Sequence, residues 1–471
     1  MDSKKTQPVI NPATGTLLRE HPTIDAAEVQ SRIEAAHNAF FRWRRDSFQE
    51  RARLLCRVAE KLLAEKDRYA SRITEEMGKP IAQSAAEIEK SASVCRYYAE
   101  EGENLLAPEQ IPLENADAHV IPRPLGVIYA IMPWNFPFWQ AFRAAAPALM
   151  AGNAMLLKGA PNVPGCSADI AQIFHEAGAP AGLFCDLPID VSESPAVIAN
   201  PLVRGVTLTG SEAAGRAVAA EAGASLKKCV LELGGSDPYI ILDDADLELA
   251  ANRCATSRML CAGQVCIAAK RLIAVDGIYD RFRDLLLEAL QPYTMADPAE
   301  ADCRLGPLAR EDLRNTVHDQ VARSVAAGAD LTLGGTIPDR DGWWYGATVL
   351  ENVHPGMPAF DEEIFGPVAS LIRADDREQA IALAGQTAFG LGGAIFSADT
   401  QTAMRIAADE LDAGCLAIND FVRSDPRVSF GGTKASGFGR ELGRAGIHEF
   451  VNLKSVVVSK QTKNKTRSEH R

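Results

Sequence analysis

The sequence predicts an α/β protein with a doubly wound parallel sheet, a second α/β domain and a small β arm. At 471 residues the chain is too long for one compact core. From residue 126, short apolar runs alternate with helical stretches, and a second such series runs from about 239 to about 430. Alternation at this spacing predicts right-handed crossovers and parallel sheets that are covered on both faces.

The first hundred residues are predicted to be helical after a short extended start. Residues 25–43 carry apolar side chains at helical spacing. The next stretch, 47–65, opens with Ser47 and Glu50 in the arrangement of a capping box. Two helices are therefore expected before the strand–helix alternation begins.

The β arm is predicted from two strand-like segments at the margins of the domains. They are "ENADAHVIPRP", residues 114–124, and "EFVNLKSVVVSK", residues 449–460. Exposed strands usually pair with another strand, and another subunit is a reasonable partner.

Composition excludes several classes of function. The net charge is −13, which argues against a nucleic acid or a membrane surface as partner. No secretory signal opens the chain, and no run of eighteen apolar residues occurs. The ten scattered cysteines then predict reduced thiols and a cytoplasmic protein, and the eight dispersed histidines predict no metal site. The polar, basic tail, residues 460–471, is expected to be a frayed terminus.

A parallel α/β domain binds ligands at the carboxyl ends of its strands, so the residues after each apolar run are the candidates for a site. In "MPWNFP", Asn135 precedes Pro137, which can open a helix at its first turn. A fixed amide donor there can stabilise an oxyanion, which is worth about 3 kcal/mol in a buried site. The alternative is an asparagine that caps the helix, and taken alone the motif favours that alternative.

Two further strand ends carry candidate groups. In "LTGSEAAG", Gly210 and Ser211 stand at a helix start, where free N–H groups favour a phosphate, although an ordinary N-cap explains them equally well. In "LELGGSDP", Glu232 ends an apolar strand before two glycines. Partial burial raises the pKa of such a carboxyl toward the range of a general base, whereas the alternative is a surface glutamate before a turn.

The thiol of Cys266 in "GQVCIAAKR" is the candidate nucleophile. An inert buried cysteine is the default, and no histidine lies near this segment to act as the base of a hydrolase. A Cys–Glu pair suits another reaction, in which the thiol adds to an aldehyde and the hemithioacetal loses hydride to a nicotinamide. Glu232 then activates water to hydrolyse the thioester. A non-redox hydrolase or acyltransferase, and a catalytically silent homologue, are the alternatives from other classes.

The order of these motifs along the chain resembles that of the aldehyde dehydrogenase superfamily. "INPATG", "PWNFP", "LTGS", "LELGG", "GQVC", "EEIFGP" and "FGGTKASGFGREL" follow one another from residue 10 almost to the C-terminus. The resemblance implies oxidation of a small aldehyde to an acid, NAD as cofactor with NADP possible, and a homodimer or homotetramer joined by the β arm. It implies a dinucleotide-binding domain over 1–101 and 125–234, a catalytic domain over 235–431, an oligomerisation arm and tail over 102–124 and 450–471, and a return to the first domain over 432–449.

The resemblance also implies a role for each site residue. Cys266 is the nucleophile, Glu232 the base, and Asn135 the oxyanion donor, helped by the backbone N–H of Cys266. Glu363 is expected to hold the nicotinamide ribose, and Phe365 to pack near the ring. The complete cofactor-binding set is Trp134, Lys158, Gly210, Ser211, Gly234, Glu363 and Phe365.

Three positions depart from the family pattern, one of which is Ser429 in place of the common proline before "FGG". The run after Lys158 is "KGAP", with Pro161 where the family often has a glutamate that grips the adenosine ribose and disfavours a 2′-phosphate. The choice between NAD and NADP is therefore open. Cys261 replaces the asparagine usually found five residues before the nucleophile, and it is near enough in sequence to form a disulfide with Cys266 under oxidation.

Arg143, on the helix after "WNFP", points to the substrate. It resembles the arginine with which bacterial succinate-semialdehyde dehydrogenases bind the distal carboxylate, and a guanidinium fork matches two carboxylate oxygens. The alternative for Arg143 is a structural ion pair. The alternative substrates are a neutral aliphatic or aromatic aldehyde, or another semialdehyde.

The second arginine of that subfamily is not matched, because Leu260 occupies its position and Arg258 lies two residues earlier. Further substrate contacts are expected from Ser424 and Phe430, with Arg423 or Arg427 as additional candidates.

Overall fold

The chain folds around two mostly parallel β-sheets. The structure is a computed structural model and describes residues 6–460. The predicted frayed tail from residue 461 onward lies outside the described residues. In chain order the strands are β1 Thr6–Ile10, β2 Leu17–Pro22, β3 Glu109–Pro112, β4 Ala116–Pro124, β5 Val127–Ile131, β6 Ala154–Lys158, β7 Phe184–Asp186, β8 Val203–Thr209, β9 Lys228–Glu232, β10 Pro238–Ile241, β11 Arg271–Val275, β12 Asp330–Leu333, β13 Thr348–Glu351, β14 Val368–Ala374, β15 Phe389–Gly390, β16 Gly392–Phe396, β17 Cys415–Ile418, β18 Thr433–Lys434, β19 Gly437–Phe438 and β20 Val451–Ser459.

The helices precede the first sheet and connect the strands of both sheets. Two short 3-10 helices, Val191–Glu193 and Leu260–Gly263, supplement them. In chain order the α-helices are α1 Ala26–Trp43, α2 Phe48–Ala64, α3 Lys66–Met77, α4 Ile81–Leu105, α5 Pro137–Met150, α6 Pro164–Glu176, α7 Ser194–Ala199, α8 Glu212–Ala224, α9 Leu247–Met259, α10 Asp276–Leu290, α11 Glu311–Ala326, α12 Pro358–Asp361, α13 Arg377–Gly385, α14 Thr400–Asp409 and α15 Gly443–His448.

The first sheet has the order β19-β9-β8-β5-β6-β7, and its strands are parallel except β19. The chain begins at β5 in the middle, extends to β7 on one side, and then returns to build β8 and β9 on the other. This is the order of a doubly wound sheet, which binds ligands where the direction of winding reverses. That position lies between β5 and β8, and the register of β8 with β9 pairs Thr209 with Glu232 at the same edge.

The second sheet has the order β12-β13-β14-β11-β10-β16-β17, in which only the edge strand β12 is antiparallel. Its central strands are buried along their whole length, and they form a hydrophobic core separate from that of the first sheet. The fold class expected from the sequence, α/β with two parallel-sheet units, is confirmed.

The two marginal segments form a small antiparallel sheet with each other. β20 pairs with β4, and β4 pairs with β3. Leu453, Val457 and Val458 on β20 keep 55%, 59% and 55% of their surface exposed. The strands expected at the margins are therefore present, and their pairing with another subunit stays a prediction.

The helix starts predicted from local sequence are confirmed. Ser47 Oγ accepts from the N–H of Glu50, and the Glu50 carboxylate accepts from the N–H of Ser47. Pro137 stands at the first turn of α5. These features could be predicted because the partners of each cap lie within one helical turn.

The described part of the chain also lacks two features. Between residues 6 and 460, no helix has both the length and the apolar character required to cross a membrane. Within the same range, no three side chains of His, Cys, Asp or Glu lie together as metal ligands would.

Replacing Ser47 with alanine removes the acceptor for the N–H of Glu50 at the start of α2. We expect the free energy of unfolding to fall by about 1 kcal/mol, as is usual for a lost N-cap. The urea midpoint of the wild type and of Ser47→Ala measures this change. Ser71→Ala is the matched control, since Ser71 is an exposed serine inside α3 whose hydroxyl only donates back to the carbonyl of Asp67. A loss of stability in the control equal to that of Ser47→Ala would contradict the capping role.

Candidate functional site

Two cavities meet at the thiol of Cys266. The first, which we name the strand-end cavity, encloses about 690 Å³ of empty space where β5, β8 and β9 end. The second, which we name the helix cavity, encloses about 1070 Å³ beside α4 and α5. Cys266 lines both cavities. It is thus the residue through which a molecule in one cavity can react with a molecule in the other.

The structure brings most of the candidate site residues to these cavities. Lys158 and Glu232 line neither of them. The helix cavity contains the three expected substrate contacts, Arg143, Ser424 and Phe430. The strand-end cavity is lined by Asn135 and by six of the seven residues expected at a cofactor, namely Trp134, Gly210, Ser211, Gly234, Glu363 and Phe365.

The loop that carries Cys266 is held in an unusual backbone conformation. Cys261 and Ala262 have φ angles of 52° and 51°, in the left-handed region that costs a non-glycine residue about 1–2 kcal/mol each. Arg258, wholly buried, donates through Nη2 to the carbonyls of Gly263 and Gly366 at 2.5 and 2.6 Å. Arg258 therefore holds the loop and is not a substrate contact. The disulfide that Cys261 could form with Cys266 under oxidation is not present, since both thiols are free.

A buried lysine that was not identified from the sequence links the backbone of Cys266 to Glu363 in the wall of the strand-end cavity. Lys270 Nζ donates to the carbonyls of Cys266 and Val265 at 2.6 and 3.1 Å. The same ammonium lies 3.1 Å from Glu363 Oε1. Its signal in the sequence is a lysine four residues after the thiol, in a segment otherwise composed of small apolar residues.

The thiol itself is protonated at neutral pH. Burial raises the pKa of Cys266 to about 12, while the positive charges of Lys270 and Arg143 oppose the rise. Because the thiolate is the attacking form, a base or a further positive charge beside the sulfur would increase the nucleophilicity of Cys266.

Asn135 lies where the sequence predicts, but it does not cap α5. Its Nδ2 donates to the carbonyl of Gln264 at 2.9 Å, on the loop that precedes Cys266. The helix is capped instead by Glu87 of α4, whose Oε1 accepts from the N–H groups of Phe138 and Trp139 at 2.9 and 3.0 Å. Glu87 also forms a buried ion pair with Lys79. The capping alternative for Asn135 is thus wrong, because a distant carboxylate fills that position.

The start of α8 combines both interpretations that the sequence left open. Ser211 Oγ accepts from the N–H of Ala214 at 3.3 Å, so Ser211 is the N-cap of this helix. Gly210 and Ser211 also line the strand-end cavity. The positive end of the α8 dipole therefore lies beside that cavity, where it favours an anionic group.

The double glycine after β9 makes room for the carboxylate of Glu363. A Cβ atom on Gly234 would stand 2.2 Å from Glu363 Oε2, closer than any real contact. The N–H of Gly235 donates to Glu363 Oε1 at 3.0 Å. Phe365 lies on the same wall and contacts Trp134 edge to face, with ring centroids 5.8 Å apart.

Glu232 is buried, and neither oxygen of its carboxylate accepts a hydrogen bond. Burial raises the pKa of Glu232 well above its usual range, the charge of Glu441 raises it further, and Arg143 opposes both. The side chain lies at the end of β9, as expected, but it faces Gly431 rather than either cavity.

Arg143 is largely occupied by protein partners. Its Nε forms an ion pair with the buried Glu441, and its Nη2 donates to Thr209 Oγ1 at 3.2 Å. Its guanidinium also lies 4.9 Å from the ring centroid of Phe430. The structural ion pair that the sequence left open is present, and it occupies the Nε side of the guanidinium. A role for Arg143 in binding substrate stays a prediction, and the N–H groups of Nη1 and the second N–H of Nη2 remain for it.

Two candidate cofactor and substrate residues lie apart from the cavities. Lys158 ends β6 and is buried, and burial lowers its pKa while Asp190 and Asp186 partly restore it. Arg427 is exposed and pairs with Asp425 at 2.7 Å, so it does not reach the helix cavity.

The helix cavity contains a cation that the sequence analysis missed, Lys90 of α4. Ser424, Phe430 and Arg423 line the same cavity, and Arg423 pairs with Asp420 at 3.1 Å. The thiol of Cys266, the cations of the helix cavity and the amide of Asn135 in the adjoining strand-end cavity suit nucleophilic addition to the carbonyl of an anionic molecule.

Comparison with known proteins agrees with this geometry. The family profile described as "Aldehyde dehydrogenase family" matches residues 1–456. The chain is 47% identical over 447 residues to the succinate semialdehyde dehydrogenase [NAD(P)+] Sad of Escherichia coli K12, covering 95% of this chain and 96% of the relative. It is 44% identical to the succinate-semialdehyde dehydrogenase [NADP(+)] of Deinococcus radiodurans, covering 95% and 94%. A crystal structure of succinic semialdehyde dehydrogenase from Streptococcus pyogenes in complex with NADP+ superposes with a TM-score of 0.94 at 36% identity, covering 96% of this chain and 100% of that one.

The raised pKa of Cys266 predicts a steep pH dependence of its alkylation. With a pKa of about 12, the thiolate fraction grows about tenfold for each pH unit below that value. We expect the rate at which iodoacetamide modifies Cys266 to rise in that proportion from about pH 7 to about pH 10, measured by mass spectrometry of the Cys266 peptide. Cys56, an exposed thiol on α2, is the control for access of the reagent. A rate that levels off below about pH 8 would contradict a buried, protonated thiol.

Proposed function

The chain belongs to the aldehyde dehydrogenase family, and from that premise we propose that it oxidises succinic semialdehyde to succinate with NADP+ or NAD+. One observation carries the proposal: Cys266 lines both the strand-end cavity, which has features suited to a dinucleotide, and the helix cavity, which has cations suited to a carboxylate.

The strand-end cavity fits a nicotinamide dinucleotide by the chemistry of its walls. The amino end of α8, with Gly210 and Ser211, suits the pyrophosphate, and the carboxylate of Glu363 suits the hydroxyls of a ribose. Trp134 and Phe365 offer an apolar wall for the nicotinamide ring. When bound, the dinucleotide would supply the acceptor for a hydride.

Residues of the chain account for the other steps of the reaction. Cys266 Sγ, once its proton has passed to solvent, adds to the aldehyde carbon as the thiolate, and the carbonyl oxygen gains negative charge as the hemithioacetal forms. Asn135 Nδ2 carries two N–H groups, of which one donates to Gln264, so the second is available to the oxyanion. After hydride loss, the thioester on Cys266 remains to be hydrolysed by water.

We assign activation of that water to Glu232. Its buried position raises its pKa well above the usual range of a carboxyl, which makes Glu232 a stronger base. Because its carboxylate faces Gly431 rather than the cavities, this role requires the side chain to rotate toward Cys266.

The cations of the helix cavity support a substrate that carries a carboxylate. Arg143 and Lys90 line a cavity whose other walls include Trp139, Phe421 and Phe430. Arg143 is already paired with Glu441, so a neutral aldehyde would leave only Lys90 of these two cations without a carboxylate in contact, and the neutral-aldehyde alternative is disfavoured. The names of the relatives favour succinic semialdehyde among the carboxylated aldehydes.

We propose NADP+ as the preferred cofactor, with NAD+ also accepted. Pro161 is exposed and stands where the family often has a glutamate, so no carboxylate at that position repels a 2′-phosphate. Lys158, three residues earlier, is the candidate cation for the adenosine end, and relatives with NADP+ in their names agree with this choice.

The assembly and the division into domains are part of the same proposal. The exposed apolar residues of β20 support pairing of this strand between two copies, in a homodimer or homotetramer. The first sheet is proposed to bind the dinucleotide and the second to carry the nucleophile, with boundaries at 1–101, 125–234 and 235–431. A cytoplasmic location stays a prediction from the cysteine pattern.

A steady-state comparison of two aldehydes tests the proposed function. We expect the wild type to reduce NADP+ with a kcat/KM at least about tenfold higher for succinic semialdehyde than for butanal, because only the first carries a carboxylate for the buried cations. Absorbance of the reduced nicotinamide measures both rates. Equal kcat/KM values would refute a carboxylate-binding cavity, and product without reduced nicotinamide would indicate a hydrolase.

Replacing Pro161 with glutamate tests the cofactor preference. The new carboxylate should repel the 2′-phosphate, and we expect the ratio of kcat/KM for NADP+ to that for NAD+ to fall at least about tenfold. Pro161→Gln is the matched control, since it adds a side chain of the same length without the charge. An unchanged ratio in Pro161→Glu would show that this position does not face the adenosine end of the cofactor.

A further inference from the structure

Lys90 is a partly buried cation that has no carboxylate in direct contact. It lies on α4, and among residues 6–460 no acidic side chain forms an ion pair with it, whereas the buried Lys79 and Lys270 pair with Glu87 and Glu363. A buried ammonium is costly unless a counter-ion or a hydrogen bond compensates it. The position of Lys90 therefore calls for a ligand that carries negative charge.

The contacts of Lys90 aim its ammonium into the helix cavity. Nζ donates to Ser424 Oγ at 2.7 Å and lies 4.2 Å from the ring centroid of Trp139. Both partners line the cavity that Cys266 opens into. Because the hydroxyl of Ser424 accepts from Lys90, its own proton is free to be donated to a bound anion.

Arg143 differs from Lys90 because its charge already has a carboxylate partner. Glu441 and Thr209 take its Nε and Nη2, so its charge is already matched by a carboxylate. Leu260 lines the cavity where the sequence comparison with succinate-semialdehyde dehydrogenases would place a second arginine. Lys90 is thus the cation of this cavity whose charge no described carboxylate neutralises by direct contact.

We propose that the ammonium of Lys90, with the hydroxyl of Ser424, binds the distal carboxylate of the aldehyde substrate and sets the preference for a carboxylated chain. This rests on the proposed function, since it names the group that recognises the substrate of that reaction. The aromatic face of Trp139 also contacts the ammonium, and it holds Lys90 in place without neutralising it.

The electrostatic surroundings of Lys90 favour an incoming anion. Burial and, to a smaller extent, the positive charge of Arg143 lower the pKa of Lys90 to about 8. Glu87, Asp425 and Cys266 act in the opposite direction. A carboxylate in the cavity would stabilise the ammonium, so binding of the substrate and protonation of Lys90 reinforce each other.

Lys90→Met tests the proposal, because methionine keeps the length and apolar stem but lacks the charge. We expect KM for succinic semialdehyde to rise at least about thirtyfold while kcat stays within about threefold, and both constants for butanal to stay within about threefold. Lys90→Arg should recover most of the affinity, since it restores a charged donor. Lys66→Met is the matched control, for Lys66 pairs at 2.8 Å with Glu89, the neighbour of Lys90, outside the cavity.

The pH dependence provides a second readout that needs no substitution. In the wild type, the ratio of kcat/KM for succinic semialdehyde to that for butanal should fall as the pH rises through about 8, since the neutral amine binds a carboxylate weakly. Taking the ratio cancels the titration of Cys266 and Glu232, which both substrates share. Lys90→Arg should remove the fall, because a guanidinium stays charged.

The outcomes separate this inference from the proposed function. If the wild type does not prefer succinic semialdehyde to butanal, the proposed function fails. If the wild type shows the preference, but Lys90→Met keeps it or loses both substrates equally, only the assignment to Lys90 fails. If Lys90→Met does not fold, a pH-independent ratio in the wild type would still overturn the assignment.

Discussion

The site depends on one buried ammonium, that of Lys270, which contacts both the nucleophile Cys266 and the carboxylate of Glu363. It donates to the carbonyl of Cys266, and it pairs with Glu363, which lines the strand-end cavity. The loop before Cys266 is strained, with successive residues in the left-handed region, so it requires ties of this kind. Because Lys270 holds both groups, the position of the nucleophile and the wall of the cavity are fixed relative to each other, and a substrate between them meets both in one orientation.

The positive charges on the two sides of Cys266 differ in whether a carboxylate matches them. The charge of Arg143 is matched, and the charge of Lys90 is not matched by direct contact. Around Arg143, the carboxylates of Glu441 and Glu232 lie close together, and they compete for one cation. Such an arrangement keeps one carboxyl protonated, and it leaves little net charge beside the sulfur. On the side of Lys90, Glu87 and Asp425 act on the ammonium only from a distance, and no described carboxylate is in contact with it. The asymmetry explains how one cavity can both tolerate a neutral thiol and attract an anionic substrate.

The sequence was sufficient for features whose partners are local or are set by topology. The capping box at Ser47 and the proline at the start of α5 lie within one turn of what they stabilise. Gly210 and Asn135 follow parallel strands, so they had to lie at the same edge of the sheet.

Lys90 could not be found in this way, because it precedes Cys266 by more than a hundred residues and reaches the cavity only through the packing of α4 on α5. A structural ion pair for Arg143 was an alternative that the sequence left open, but its partner Glu441 could not be named for the same reason, and the pair partly occupies the expected substrate fork.

The nucleophilic role of Cys266 is tested most directly by trapping the acyl group on its sulfur. In Glu232→Gln, hydrolysis of the thioester should be slow while its formation persists. One turnover with succinic semialdehyde and NADP+ should then release about one reduced nicotinamide per active site and leave a succinyl group on the Cys266 peptide, detected by mass spectrometry after acid quenching. A burst of reduced nicotinamide with no modified Cys266, or with the acyl group on another residue, would contradict the central role of this thiol.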